Sequence, residues 1–451
     1  MSIEINKDFL SALADCIREQ NSKSAHEMLV DLHPADIAEF FPQLELEEQS
    51  YLISLLDNEV SAAVMLELEE DDRKKLLRLL SPKEIAEDLI TEMDTDDAVD
   101  VISELSEAKK DEVIAQLEDK EHAQDIVDLL RYDEDTAGGL MRKEFVKVNK
   151  NWNVITAVRE MRRQAEDLEE VYSIYVVNDD NELLGTLSLK KLLTTSSSTK
   201  LEELYNKNVH YVKAGANDED VAKIIQKYDL MEIPVVDELM RLQGIITVDD
   251  IIDVMREEAE EDYQLAAGIT RNVDADDSIW TLTKARLPWL LIGMFGGLCA
   301  ASIINGFTVV LEKYKVLLLF VPLIQSTAGN VGIQSSAIIV QGLANGTIKG
   351  EVWKLLWKEF LLGLLNGLGI AIIVLFFSHF WFGTPYLVSA TICVALVTVI
   401  IIAATIGTFI PLFLSKRGLD PAVSTGPFIT TSNDIFGVFI YFMIAKMLLG
   451  F

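Results

Sequence analysis

The chain has 451 residues, with 39 Lys and Arg against 72 Asp and Glu, a formal charge of −33. That balance excludes nucleic acid as a partner, and the length exceeds one ordinary domain. The charge is unevenly spread, because residues 280–451 hold ten basic and five acidic side chains, leaving −38 on the first 279. With 50% apolar residues, such a split reads as an acidic soluble part joined to a membrane part and excludes a wholly soluble protein. Cys16, Cys299 and Cys393 are too dispersed for a disulfide framework or a thiolate metal site. The N-terminal MSIEINKDFL has no apolar core behind basic residues, so no cleaved signal is expected.

Residues 25–130 show helical apolar spacing, as in Ile37, Phe40, Phe41 and Leu44 or Leu76, Leu77, Leu79 and Leu80, without strand alternation. DIAEF at 36 and EIAED at 84 echo each other, and Pro or Asp/Ser/Thr caps open many segments. Residues 1–130 are therefore expected to form a stack of short amphipathic helices. Asp96 and Asp100 share one helical face and read as surface residues able to add ligands to an acidic site.

Two segments then repeat. YVVNDDNELLGTLSLKKLL from Tyr175 aligns without a gap to PVVDELMRLQGIITVDDII from Pro234, pairing Val177 with Val236, Gly185 with Gly244 and Ser188 with Thr247. Each reads as strand, turn, strand and helix start, so residues 131–200 and 201–248 are expected to be twin α/β modules packed together.

Between Asp249 and Asp262 stand eight carboxylates (Asp249, Asp250, Asp253, Glu257, Glu258, Glu260, Glu261, Asp262) and one base, Arg256. Like charges such as Glu257 and Glu261 destabilise a helix by a few tenths of a kcal/mol per pair. Residues 249–279 are read as an acidic linking helix, either a solvated face or a site closed by divalent cations.

Residues 280–451 are expected to cross the membrane five times, since a span needs about 20 apolar residues. The spans are placed at 287–311, 316–348, two within 360–415 separated by FGTP at 382–385, and about 421–445. The positive-inside rule then places the N-terminal half in the cytoplasm. Asp434 is the one charge expected within a span, and a carboxylate there costs about 2.5 to 3.5 kcal/mol on insertion scales, which favours a functional role. Pro322 and QSTAGNVGIQSS at 325–336 point to broken backbone lining a cavity, with Gly329 and Gly332 alternatively serving helix packing. Pro427 is expected to disturb the fifth span.

On RYDEDTAGGLM at 131–141, the twin modules, GNVGIQ at 329–334 and DPAVSTGPFITTSND ending at Asp434, the chain resembles the MgtE family of magnesium channels over nearly its full length. The resemblance makes the fold a multi-domain membrane protein: a helical superhelical N-terminal domain, tandem cystathionine-synthase-type (CBS) modules, a plug-type linking helix and five transmembrane helices. It implies a homodimer in the inner or plasma membrane, with an interface pore in which Asp434 of each subunit binds hydrated Mg²⁺ and backbone around Asn330 and Gly329 lines the entry. It further implies closing sites on Asp250, Asp253, Glu258, Glu261 and Asp262, and sensory carboxylates at Asp229, Glu219, Asp96 and Asp100. Mg²⁺ is then both cargo and regulatory ligand. Ala328 stands where such proteins often have a second glycine, against close backbone approach there. Lys191 replaces an Asp for a nucleotide ribose, against adenosine nucleotide binding, although Asp250 is present in the second module. A cation-coupled transporter is the alternative reading, and a CBS-regulated membrane enzyme a weaker one, since the five histidines are scattered and form no catalytic motif.

Overall fold

The structure, a computed structural model, describes residues 7–19, 21–30, 32–166, 168, 170–271, 273, 275, 277–348, 351–424 and 426–450. It divides into two compact units, Met1–Met255 and Arg256–Phe451.

The first unit begins with short helices from Lys7–Arg18 to Lys120–Leu129, with no strand among the described residues of this stretch. Their starts follow the caps in the sequence. Ser81 and Glu84 form a reciprocal capping box, and Asp119 accepts from the backbone of Glu121 and His122. Their apolar faces, including Ile37, Phe41, Leu52, Leu76 and Leu77, are buried in one core that also takes Val221, Ile233, Val235 and Ile251 of the second module. Full burial of each such side chain stabilises the fold by about 1.5 to 3 kcal/mol. The segment 131–141 stitches these parts together, with Ala137 N and Gly138 N donating to Ala216 O and Ala214 O at 2.8 Å each.

The repeat is realised as two sheets of identical topology. The first has β1 (Val146–Asn149), β2 (Ile174–Val177) and β3 (Leu183–Leu187), with β1–β2 parallel and β2–β3 antiparallel. In the second, β4 (Val212–Lys213), β5 (Glu232–Val236) and β6 (Leu242–Thr247) repeat that order. Val176 faces Gly185 as Val235 faces Gly244, and each register shifts one residue later. Tyr175, Val177, Leu183, Val236, Leu242 and Ile245 pack between the modules, and Tyr175 Oη donates to Glu232 Oε1 at 2.6 Å.

Three helices of this unit matter below: α1 (Thr95–Ser103), α2 (Asp218–Tyr228) and α3 (Val248–Ala267). The last is one unbroken helix that continues into the second unit's residues. Among the described residues, five further helices are long and apolar enough to cross a membrane. They are α4 (Ile279–Gly306), α5 (Val321–Ala344), α6 (Val352–Phe376), α7 (Tyr386–Ser415) and α8 (Pro427–Leu449). The turn between α6 and α7 falls at Phe382–Pro385, where Gly383 has φ +64°.

Three expectations for the membrane helices need correction. The backbone of α5 is not broken at 325–336 but continuous helix. Its glycines serve packing instead: a Cβ at Gly407 of α7 would run into Gly332 O, and one at Gly332 into the Asn433 amide. Pro427 does not disturb the fifth span; it is the first residue of α8, where the missing N–H breaks no hydrogen bond. Asp434 is consequently the eighth of 23 residues in α8, nearer its middle than its N-terminal end. Ala328 does not prevent close approach either, since it is fully buried and its carbonyl accepts from Asn433 Nδ2 at 3.3 Å.

Candidate ion sites

The first site is an acid pocket in the first unit. Helix α1 buries Ala98, Val101 and Ile102 in the core, which turns its acidic residues toward Asp250 at the start of α3. Asp96, expected at the surface, is only 7% exposed, and burial pushes its carboxyl well above the usual range, with Asp250 and Asp97 adding to the shift. Burial and then Asp250 raise Asp97 to about 7. Asp100 keeps more than a third of its surface exposed. It is still raised to about 6, by crowding of protein around it against the opposing charge of Arg73. Asp250 is raised by burial, although it accepts from Thr247 N at 3.2 Å and from Thr247 Oγ1.

Arg142 and Arg73 both face this group. Arg142 Nη1 donates to Asp94 Oδ2 at 2.5 Å, and its buried Nε makes no hydrogen bond. Arg73 is taken up by Glu104, at 2.5 Å. Carboxylates that raise one another's pKa hold either protons or a hard cation, and their oxygens are the donor type that Mg²⁺ or Ca²⁺ takes. Among the described residues no three His, Cys, Asp or Glu side chains stand close enough to hold an ion directly.

The structure separates other expected ligands. Glu219 and Asp229 lie at opposite ends of α2, roughly 15 Å apart at 1.5 Å per residue, so they cannot share one ion within a chain. Glu219 is exposed and paired with Lys223 Nζ at 2.6 Å, and Asp229 is the left-handed C-cap of α2. On α3, Asp253 and Glu261 are exposed, while Glu258 and Asp262 lie one turn apart and are half-buried. Asp97, Asp94 and Arg142 were not singled out from sequence. The run DTDDAVD at 94–100 carries a signal for the first two; Arg142 is placed by its two backbone bonds with Ile245, of 2.8 and 3.0 Å.

The second site is in the membrane unit. Thr430 of α8 packs on Gly329 of α5, its Cγ2 3.2 Å from where a Cβ would stand. Asp434 follows one turn along α8 and is half-buried. Asn433 beside it is 2% exposed and seated on α5 through Ala328 and Gly332. Meanwhile Ser326, Asn330 and Gln334, at i, i+4 and i+8 on α5, are exposed. A polar stripe of this kind is costly against lipid and suits water or a second protein surface. Asp434 is not the one carboxylate within the spans. Glu359 lies inside α6, 8% exposed, and accepts from Ser335 Oγ of α5 at 2.9 Å. It escaped notice because it directly precedes the charge-free run from 360.

The second unit also joins α3 to α8. A Cβ at Gly426 would run into Ala266 O, and one at Gly268 into the Pro427 ring. Both glycines have positive φ, +55° and +81°, so the end of the acidic helix sits tightly on the first residues of the helix that carries Asp434.

Comparison with known proteins agrees with this layout. The sequence profile "Divalent cation transporter" matches residues 321–444, "MgtE intracellular N domain" 32–135 and "CBS domain" 137–198 and 201–257. A magnesium transporter MgtE of Thermus thermophilus is 34% identical over 447 residues, spanning 97% of this chain and 98% of its own length. The chain belongs to the MgtE family. A second member, from Enterococcus faecalis, is 36% identical over 99% of this chain and 98% of its own length. Among solved structures, the soluble part of a magnesium transporter is 33% identical and covers 56% of this chain and 99% of its own, with a TM-score of 0.50. The cytosolic domain of the Mg²⁺ channel MgtE in complex with ATP is 33% identical, covers 54% of this chain and 99% of its own, and gives 0.51. Members of the MgtE family are transporters of magnesium, not enzymes, and this chain is a multi-pass membrane protein of that family.

Proposed function

We propose that the protein is a Mg²⁺ channel of the cell membrane, a homodimer whose interface pore is lined by Asp434 and closed by Mg²⁺ held on cytoplasmic carboxylates. The observation that carries the reading is the exposed polar stripe Ser326, Asn330 and Gln334 on α5, the helix against which Thr430 and Asn433, the neighbours of Asp434 on α8, are packed. A second copy placed on that stripe shelters an aqueous path, and two Asp434 carboxylates then face a cation whose water shell stays largely in place. Exposed amides of Asn330 and Gln334 accept or donate to that water shell, and Gly329 lets α8 approach closely enough to bring Asp434 alongside.

Closure follows from differential binding. Bound Mg²⁺ in the acid pocket of Asp96, Asp97, Asp100 and Asp250, and along Asp253, Glu258, Glu261 and Asp262, offsets the repulsion between carboxylates and favours the compact arrangement. The tight seat of Ala266–Gly268 on Gly426–Pro427 passes the position of α3 to α8. Exposed Glu219 and Asp229 serve ions shared with a second surface. The N-terminal half lies in the cytoplasm by the charge asymmetry. As for nucleotides, one related cytosolic domain was solved with ATP, whereas Lys191 of this chain turns its Nζ to Leu204 O at 2.5 Å and offers no ribose acceptor.

Mg²⁺ flux into proteoliposomes tests the pore. Asp434→Ala is expected to abolish it and Asp434→Asn to leave little, with dimer and fold intact; wild-type flux in Asp434→Ala would sink the assignment.

A further inference from the structure

Glu359 is a buried carboxylate in a membrane span that the ion path described above does not use. Helix α6 packs along α7: Cβ atoms at Gly363 and Gly367 would meet Ile401 Cα and Val397 Cα at 3.1 and 3.3 Å. The Glu359 side chain reaches past this contact to α5, where Ser335 Oγ donates to its Oε2 at 2.9 Å. Ser335 is itself 6% exposed. A hydrogen bond is electrostatically stronger away from water, and leaving either buried partner unpaired is costly.

What that bond holds in place is the seat of Asp434. Along α5, Ser335 lies one turn beyond Gly332 and two beyond Ala328, on the buried face. Gly332 and Ala328 are the residues that receive the Asn433 amide, directly before Asp434. On its other flank α5 is pressed against α7, with Gly407 on the Gly332 carbonyl. The buried hydroxyls of Ser336 on α5 and Thr408 on α7 form no hydrogen bond. Glycine contacts fix how close α5 comes to α7, whereas directional bonds oppose sliding along the helix axis: the Asn433 amide to Ala328 O from α8, and the Glu359 bond from α6.

We propose that Glu359 is a positioning residue for ion selection: by its hydrogen bond from Ser335 it sets the height of α5 and, through Asn433, the placement of Asp434 in the pore. The proposal rests on the pore role of Asp434 given above.

The test compares Glu359→Gln, Glu359→Leu and Ser335→Ala in full-length protein in proteoliposomes, with wild type and Asp434→Ala alongside. Half-saturation by Mg²⁺, maximal flux and Mg²⁺ over Ca²⁺ discrimination are read for each, together with Tm in detergent. Gln keeps an oxygen that can accept from Ser335, so Glu359→Gln is expected to stay near wild type. Leu removes the acceptor and leaves the buried Ser335 hydroxyl unpaired, so Glu359→Leu is expected to lower Tm modestly while raising half-saturation by up to about tenfold and lowering discrimination, the scale of one lost hydrogen bond. Ser335→Ala should move the same way by less. Should Glu359→Leu lose flux only with its Tm, Ser335→Ala decides: unchanged half-saturation and discrimination in a stable Ser335→Ala protein overturn the proposal. Equal loss in Glu359→Gln and Glu359→Leu overturns it too, by making the charge rather than the bond responsible. Flux through Asp434→Ala overturns instead the pore reading on which the proposal stands.

Discussion

Two regions of this molecule hold carboxylates against protein, and they do so in opposite ways. The acid pocket gathers Asp96, Asp97, Asp100 and Asp250 within one chain near Arg142, where burial first and neighbouring carboxylates second raise their pKa values. The spans of the membrane unit set theirs apart, with Glu359 tied to Ser335 inside the fold and Asp434 half-buried on a helix packed against α5, which carries the exposed polar stripe. A crowded pocket stores electrostatic free energy that a cation releases, and so it suits a sensor. A lone carboxylate next to water holds its ion weakly enough to let it go, as a conduction path requires.

The largest effect expected from breaking this contrast is at Asp434, where Asp434→Ala removes the ion site and flux falls to background. The opposite outcome is expected on α3. Glu258→Gln combined with Asp262→Asn weakens divalent binding while keeping side-chain size, so current should persist at cytoplasmic Mg²⁺ that silences wild type, about tenfold higher if one hydrogen-bonded charge contact is lost. Loss of current in that variant, with protein intact, would mean these carboxylates serve conduction.

The acid pocket makes a smaller, pH-dependent prediction. Its folded pKa values are raised above those of an unfolded chain, so protonation favours the fold. That stabilisation is present below the ordinary carboxylate range and is lost as pH rises through the window from about 6 to about 7 set by Asp100 and Asp97. In chelator, hydrogen exchange of residues 95–103 should therefore quicken across that window, and Mg²⁺ should suppress the change. Asp97→Asn, which leaves Asp94, Asp96, Asp100, Asp250 and Arg142 facing one another, should flatten the dependence; an unaltered profile would remove Asp97 from the pocket's titration. Smallest of all, equal ionic strength supplied as Na⁺ should protect the 249–262 stretch from proteolysis much less than Mg²⁺, because screening alone acts at any valence.

How much of this was legible in the sequence follows the range of the interactions. The module repeat survived intact, down to the Val176–Gly185 and Val235–Gly244 pairing, because strand period and turn spacing are local. The five spans followed from charge-free length for the same reason. Asp96 was misread as a surface residue because its burial depends on Asp250, 154 positions later. The break expected in α5 did not occur because Gly329 and Gly332 meet Thr430 and Asn433, partners that no window around them contains. Glu359 was hidden by lying at the margin of a charge-free run, where a carboxylate that ends a span and one buried inside it look alike.

Recording from excised patches while Mg²⁺ is titrated on the cytoplasmic face tests conduction and sensing together. Wild type should show unitary currents at low Mg²⁺ that fall silent as it rises. Asp97→Asn with Asp250→Asn should conduct at concentrations that silence wild type, and Asp434→Ala should not conduct at any. Mg²⁺ flux without unitary current in wild type would contradict the account in favour of coupled transport, and current through Asp434→Ala would contradict it outright.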